Sequence, residues 1–167
     1  MNLDNLFKNF CKKNNLEINS YQLSIINELK SYYDLNFNKS ILNKIFSKKN
    51  SKPAFYLYGG VGVGKTMILN FFFDLLEEKK LRQHFNEFIL SFHNFVHERK
   101  EKNEENVINQ FVKNLKSQTK LIYFDEFQVT NIVDAMILGK LFEQIFKEDI
   151  KIILTSNIKI SELYKDG

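Results

Sequence analysis

Ala54-Phe55-Tyr56-Leu57-Tyr58, followed at once by Gly59-Gly60-Val61-Gly62-Val63-Gly64-Lys65-Thr66, is the stretch whose reading decides the fold. The first five residues read as a strand. The next eight fit the pattern G-x-x-x-x-G-K-[ST]. Four glycines in six positions let the backbone turn its N–H groups inward around a phosphate, a conformation that a Cβ resists. In that arrangement Lys65 reaches the β- and γ-phosphates and the Thr66 hydroxyl ligates Mg²⁺. A helical pattern from Lys65 to about Leu76 then points its N-terminus at the anion. A merely flexible glycine-rich turn would not need the strand before it and the helix after it. Gly59, Gly60, Val61, Gly62, Val63, Gly64, Lys65, Thr66 and Met67 are therefore the candidate triphosphate-binding residues.

About sixty residues downstream, Leu121-Ile122-Tyr123-Phe124-Asp125-Glu126 places two carboxylates after four apolar residues. Four buried residues fix a central strand, so both acids emerge at its carboxyl end, where open α/β sheets bind ligands. Asp125 is expected to hold the Mg²⁺ water shell with Thr66. Glu126 is expected to orient and polarise the water that attacks the γ-phosphate. Asn157, after the apolar strand Ile150–Thr155, offers a neutral amide to the γ-phosphate and the same water, although a turn asparagine would look alike. Lys65, Glu126 and Asn157 form the candidate catalytic set. The guanine-reading sequence N/T-K-x-D is absent, which favours ATP over GTP.

From Ala54 onward strands alternate with helices, the signature of a parallel sheet covered by helices. The periodicity predicts a short second strand at Gln83–Phe85 and helices over Phe88–His97, near Val107–Leu115 and over Ile132–Phe146. Ser161 is expected to cap a last helical turn. Before this core, Leu3, Leu6, Phe7, Phe10 and Cys11 predict an amphipathic helix. A second helix, N-capped by Ser20, carries Leu23, Ile26, Leu29 and Tyr33, and a third runs from Ser40 to Phe46. Residues 1–50 thus read as a helical segment and residues 51–167 as the nucleotide-binding core.

The chain's 167 residues suit one domain with a substantial core. No apolar run reaches membrane-spanning length, and Met1-Asn2-Leu3-Asp4 has neither secretory-signal nor presequence character, so a cytoplasmic setting is expected. A single cysteine, Cys11, excludes an internal disulfide and suits a reducing compartment. The net charge of +4 is spread over scattered lysines, so nucleic acid is disfavoured as a partner. His93 and His97 have a spacing that can hold zinc, but nothing nearby completes a ligand set, and a structural or surface role is expected.

With Asp125-Glu126-Phe127-Gln128-Val129-Thr130 through Leu138 in view, the chain resembles the ZapE-type ATPases, bacterial cell-division proteins of the AAA+ class with mitochondrial relatives. The stretches Leu57–Met67, His84–Phe88 with His93 and His97, Thr155–Asn157 and Leu163–Gly167 are similar to other segments of that family. The resemblance implies a P-loop α/β/α three-layer fold, ATP hydrolysis and a sensor role for Asn157. It also implies homo-oligomers, contact with FtsZ or other division-ring proteins, and a place at the inner face of the membrane. Asn86, Asn131 and Val63 depart from the family pattern without removing a catalytic group. Family members continue into a further strand and a helical lid, so the chain reads as an N-terminal portion, incomplete at the sheet's C-terminal end. Its two arginines, Arg82 and Arg99, both precede the Asp125 strand, outside the region where an arginine finger belongs. Such a group contributes about 10³–10⁵ in rate. A non-hydrolysing nucleotide-binding module is the main alternative, and a helicase-loader-like AAA+ protein a second.

Overall fold

The computed structural model describes residues 3–37, 51–99, 103–129 and 132–163. They divide into two compact units, Met1–Phe55 with Val61–Glu77, and Tyr56–Gly60 with Glu78–Gly167.

The first unit is helical. Helix α1 (Leu3–Lys13) buries Leu3, Phe7 and Cys11, one face at a four-residue repeat. Helix α2 (Ser20–Asn36) starts one residue earlier than a Ser20 cap implies. Asn19 is the N-cap, its side chain accepting from the Gln22 amide at 2.8 Å while Gln22 Oε1 accepts from the Asn19 amide at 3.2 Å. This reciprocal box satisfies two donors at once, which a Ser20 hydroxyl one position later could not do. The buried face of α2 runs through Ile25, Ile26, Leu29 and Tyr32, so Leu23 and Tyr33 sit at its margin. Helix α3 (Lys65–Asp74) buries Ile68, Leu69, Phe71, Phe72 and Phe73. Phe71 meets Phe7 edge-on at 5.1 Å between ring centroids, and Phe72 meets Tyr33 at 6.2 Å. Each buried phenyl contributes about 1.5–3 kcal/mol, so these rings fix the helix that follows the glycine loop. The expected helix from Ser40 to Phe46 lies outside the described residues.

The second unit carries a four-stranded parallel sheet in the order β1-β4-β3-β2. The strands are β1 (Ala54–Tyr58), β2 (Lys80–His84), β3 (Leu121–Asp125) and β4 (Lys151–Ser156). The register pairs His84 with Asp125 and Phe124 with Leu154. Every residue of β3 and β4 is buried, as a central parallel strand requires. Helices α4 (Phe85–Arg99), α5 (Glu104–Gln118) and α6 (Ile132–Lys147) complete the unit. Phe124 packs on Phe88 at 4.6 Å, on Phe85 at 5.7 Å and on Phe142 at 6.2 Å, which ties α4 and α6 to one face of β3.

Two expectations need correction here. The second strand is Lys80–His84, not Gln83–Phe85, and α4 begins directly at Phe85. Apart from Leu81, residues 80–84 are polar, and none is buried, so pairing with β3 rather than propensity makes them a strand. Ser161 does not cap a helix but lies inside the 3₁₀ turn Ile160–Glu162, whose N-cap is Lys159. β1 is an outer strand of this sheet.

Candidate functional site

The sequence-derived residues fall into two groups, one in each unit. In the first unit Val61 and Val63 are exposed, and Gly62 and Gly64 take φ of +81° and +87°. Only glycine holds that left-handed backbone without strain. Gly64 is also the N-cap of α3, with no side chain capping the helix. The α3 amide terminus therefore carries its dipole and donors toward the loop, an arrangement suited to an anion. Lys65 and Met67 are half-buried beside it, and Thr66 is exposed.

In the second unit the parallel register gathers the remaining candidates at the carboxyl ends of three neighbouring strands. The Gly59 amide donates to the Ser156 carbonyl at 3.2 Å, joining the end of β1 to that of β4. Asp125 ends β3 and is 4% exposed. The Thr155 hydroxyl donates to Asp125 Oδ1 at 2.6 Å and accepts from the Glu126 amide at 3.2 Å, so one side chain of β4 sets both acids. Arg82 Nη2 donates to Asp125 Oδ2 at 3.2 Å, and its guanidinium lies 5.3 Å over the Tyr123 ring. Burial alone would raise the Asp125 carboxyl, but donors from Thr155, Arg82 and Tyr123 and the Arg82 charge outweigh it, holding it below the ordinary carboxylate value. Asp125 is therefore ionised at neutral pH. Burial first, and the Asp125 charge second, push the Tyr123 phenol up, so it stays a protonated donor.

Glu126 has a different environment. Its side chain is 74% exposed, and its φ of +56° puts a non-glycine residue in the left-handed region. Such a conformation persists when neighbours over-determine it. Here the Thr155 bond to its amide and the bond from the Phe127 amide to the Thr155 carbonyl, at 2.7 Å, do so. The turn lifts Glu126 off the strand line and out to solvent, with His84 Nδ1 4.0 Å from its carboxylate. Asn157 follows β4 and is exposed; just before it, the Ser156 hydroxyl donates to the Phe127 carbonyl at 2.7 Å. His93 Nε2 lies 3.1 Å from Asp134 Oδ1, on the side of α4 that faces α6.

Two residues that carry this geometry were given no role by sequence reasoning: Thr155 and Arg82. Thr155 looked like one more strand residue, and Arg82 drew notice only for being upstream of Asp125. Both act through cross-strand register, which only the paired sheet reveals. Thr66 offers an exposed hydroxyl and Asp125 an ionised carboxylate, each a hard oxygen donor of the type Mg²⁺ takes.

The profile of the AFG1-like ATPase family matches residues 9–167. Lactation elevated protein 1 homolog B of Danio rerio is 40% identical over 131 residues, which cover 72% of this chain and 26% of that protein. Cell division protein ZapE of Escherichia coli K12 is 38% identical over 124 residues, covering 72% of this chain and 32% of ZapE. The chain thus spans about a quarter to a third of the length of these relatives. Among solved structures, DnaI aligns with a TM-score of 0.54 at 16% identity over 90% of this chain and 73% of DnaI. A DNA replication initiation factor aligns with a TM-score of 0.52 at 18% identity, over 79% and 43% of the two chains. These structural likenesses speak to the fold alone. The family match over nearly the whole sequence, joined to a glycine loop and an acid-ended central strand, leads to one conclusion: the chain belongs to the AFG1-like ATPase family.

Proposed function

We propose that this chain binds ATP with Mg²⁺, and that the whole protein hydrolyses it. The observation that carries the reading is the uncapped N-terminus of α3, reached through two glycines at positive φ. The amides of the loop from Gly59 to Lys65 hold the phosphates, Lys65 neutralises the β- and γ-phosphates, and Met67 follows on the first turn. Mg²⁺, held by the Thr66 hydroxyl and Asp125, supplies charge stabilisation to the transferring phosphoryl group. Glu126 accepts the proton of the attacking water, and Asn157 donates its side-chain amide to the γ-phosphate. The left-handed turn at Glu126 supports this role, because it sends one acid to solvent while Asp125 stays fixed in the sheet.

The name of the Escherichia coli relative supports a further step, that the parent protein acts in cell division; action through FtsZ or other division-ring proteins, as a homo-oligomer in the cytoplasm at the inner membrane face, rests on the family resemblance. No described helix is long and apolar enough to cross a membrane. A non-hydrolysing nucleotide-binding module is the second reading. It is favoured by the engagement of both arginines within their own unit, Arg82 with Asp125 and Arg99 with Gln110 at 2.6 Å. A helicase-loader role predicts DNA-stimulated turnover and steeply salt-dependent DNA binding.

Calorimetry with Mg·ATP and a phosphate-release assay on Glu126→Gln separate these readings. The expected result is ATP binding in both proteins and turnover lowered about 10²–10⁴-fold in the variant. Turnover at the starting rate in Glu126→Gln would remove Glu126 from the chemistry. Binding without turnover in the starting protein would favour the module.

A further inference from the structure

Gln22 has no part in the sequence motifs, yet it stands beside the glycine loop within the first unit. The residue is 7% exposed. Its Oε1 is committed to the Asn19 amide, and since a backbone N–H needs an acceptor, that bond fixes which way the side-chain amide faces. Nε2 is thereby turned toward Gly64, 3.3 Å from where a Cβ on that residue would stand. Among the described residues Gln22 makes only its two capping bonds, so Nε2 donates to nothing there. Gln22 carries this donor at the mouth of the α3 N-terminus, beside a glycine held at φ +87°.

We infer that Gln22 is a nucleotide-contacting residue supplied by α2, whose Nε2 donates to a hydrogen-bond acceptor of the ATP held at the α3 N-terminus. The inference rests on the ATP-binding reading above and adds a residue from outside the loop to it. Bound nucleotide supplies the acceptor that the protein lacks. The capping box makes the donor rigid, so little entropy is lost when the bond forms.

The test compares Gln22→Glu, Gln22→Met and Asn19→Ala in the full chain, by calorimetry with Mg·ATP and with Mg·tripolyphosphate, alongside thermal unfolding. Glu keeps the Oε1 acceptor of the cap and replaces the donor by an anion, whereas Met loses the cap acceptor and the donor together. A ligand contact therefore makes Glu the worse variant for ATP, by roughly ten- to a hundredfold against about tenfold for Met. Asn19→Ala, which removes the other half of the box, is expected to bind within about twofold of the starting protein. A loss confined to ATP puts the acceptor on the nucleoside, and a loss shared with tripolyphosphate puts it on a phosphate; either supports the inference. ATP binding by Gln22→Glu equal to the starting protein overturns it. So does a Met variant weaker than Glu, which would mark a purely structural cap. Should Gln22→Glu fail to fold, a Gln22→Met loss no greater than that of Asn19→Ala overturns it as well. A starting protein that takes up no Mg·ATP defeats the reading of the whole site, a distinguishable result.

Discussion

Around Gly62 and Gly64 the chain takes its shape from side chains that are missing, whereas around Asp125 and Glu126 it takes its shape from side chains that bond one another. In the loop, two positive φ angles, an uncapped helix terminus and exposed valines leave the backbone ready for an anion. At the acid-bearing strand end, Thr155, Arg82 and Tyr123 all act on Asp125, and Thr155 also sets the Glu126 amide. The loop should therefore be costly to alter for binding and cheap for stability. The acid-bearing end should be costly for both.

Lys65→Ala probes the loop and has the largest expected effect. Removing the cation from the proposed phosphate-binding residues should reduce Mg·ATP affinity more than a hundredfold, at or beyond detection by calorimetry. Its melting temperature should move less than that of any acid-end variant below. A large loss of stability would mean that the loop is as tightly built as the strand end, and the contrast would fail.

Thr155→Val probes the opposite side of the comparison. It matches the hydroxyl in shape but takes away the 2.6 Å donor to a carboxylate that is 4% exposed, together with the acceptor for the Glu126 amide. Leaving a buried charged acceptor short of a donor costs about 2 kcal/mol, or a Tm drop of roughly 4–8 °C for a chain of this size. Thermal unfolding by circular dichroism measures it. Turnover should fall as well, because the left-handed turn that presents Glu126 loses its brace.

How much of this could be read from the sequence follows the same division. The loop is a local object: spacing, glycines and the flanking strand and helix were all visible between Ala54 and Asp74. Asp125 and Glu126 were visible as an acid pair after an apolar run. Their support was not, because it is delivered by register. Nothing within Lys80-Leu81-Arg82-Gln83-His84 says that Arg82 stands across from Tyr123 and reaches Asp125. The strand itself was placed three residues late, since its polar sequence has little intrinsic preference for a sheet. Gln22 was hidden by a one-residue shift in the helix start, which turned a capping partner into an anonymous helix residue. Asn19-x-x-Gln22 matches the spacing of a capping box and could have been noticed.

Arg82→Ala has a smaller effect with a pH signature. Arg82 is 41% exposed, so its pairing with Asp125 is partly screened and should contribute about 1 kcal/mol at neutral pH. Asp125 has a folded value below its unfolded one of about 3.9. Its contribution is thus present above that unfolded value and is lost as pH falls through the folded value. Removing Arg82 raises the folded value and shrinks the gap. The Tm difference between the two proteins should be full at pH 7, begin to close below about pH 4 and vanish once Asp125 is protonated in both. A difference that persists undiminished at the acid end would assign the role of Arg82 to its packing on Tyr123 instead.

Glu126→Gly has the smallest effect on stability and the opposite sign. A left-handed conformation costs an L-residue about 1–2 kcal/mol, and glycine avoids that cost while giving back about 0.5–1 kcal/mol through its freer unfolded chain. Because the Glu126 side chain is 74% exposed, little native packing is lost with it. The net expectation is a gain of up to about 1 kcal/mol, read as a Tm rise of roughly 2–4 °C, with phosphate release lost. Stability and turnover would then move in opposite directions at one position, as they must where strain is retained to aim a reacting group. A lower Tm would show that the Glu126 side chain helps hold the fold, so that both acids, and not Asp125 alone, belong to the bonded network at the strand end.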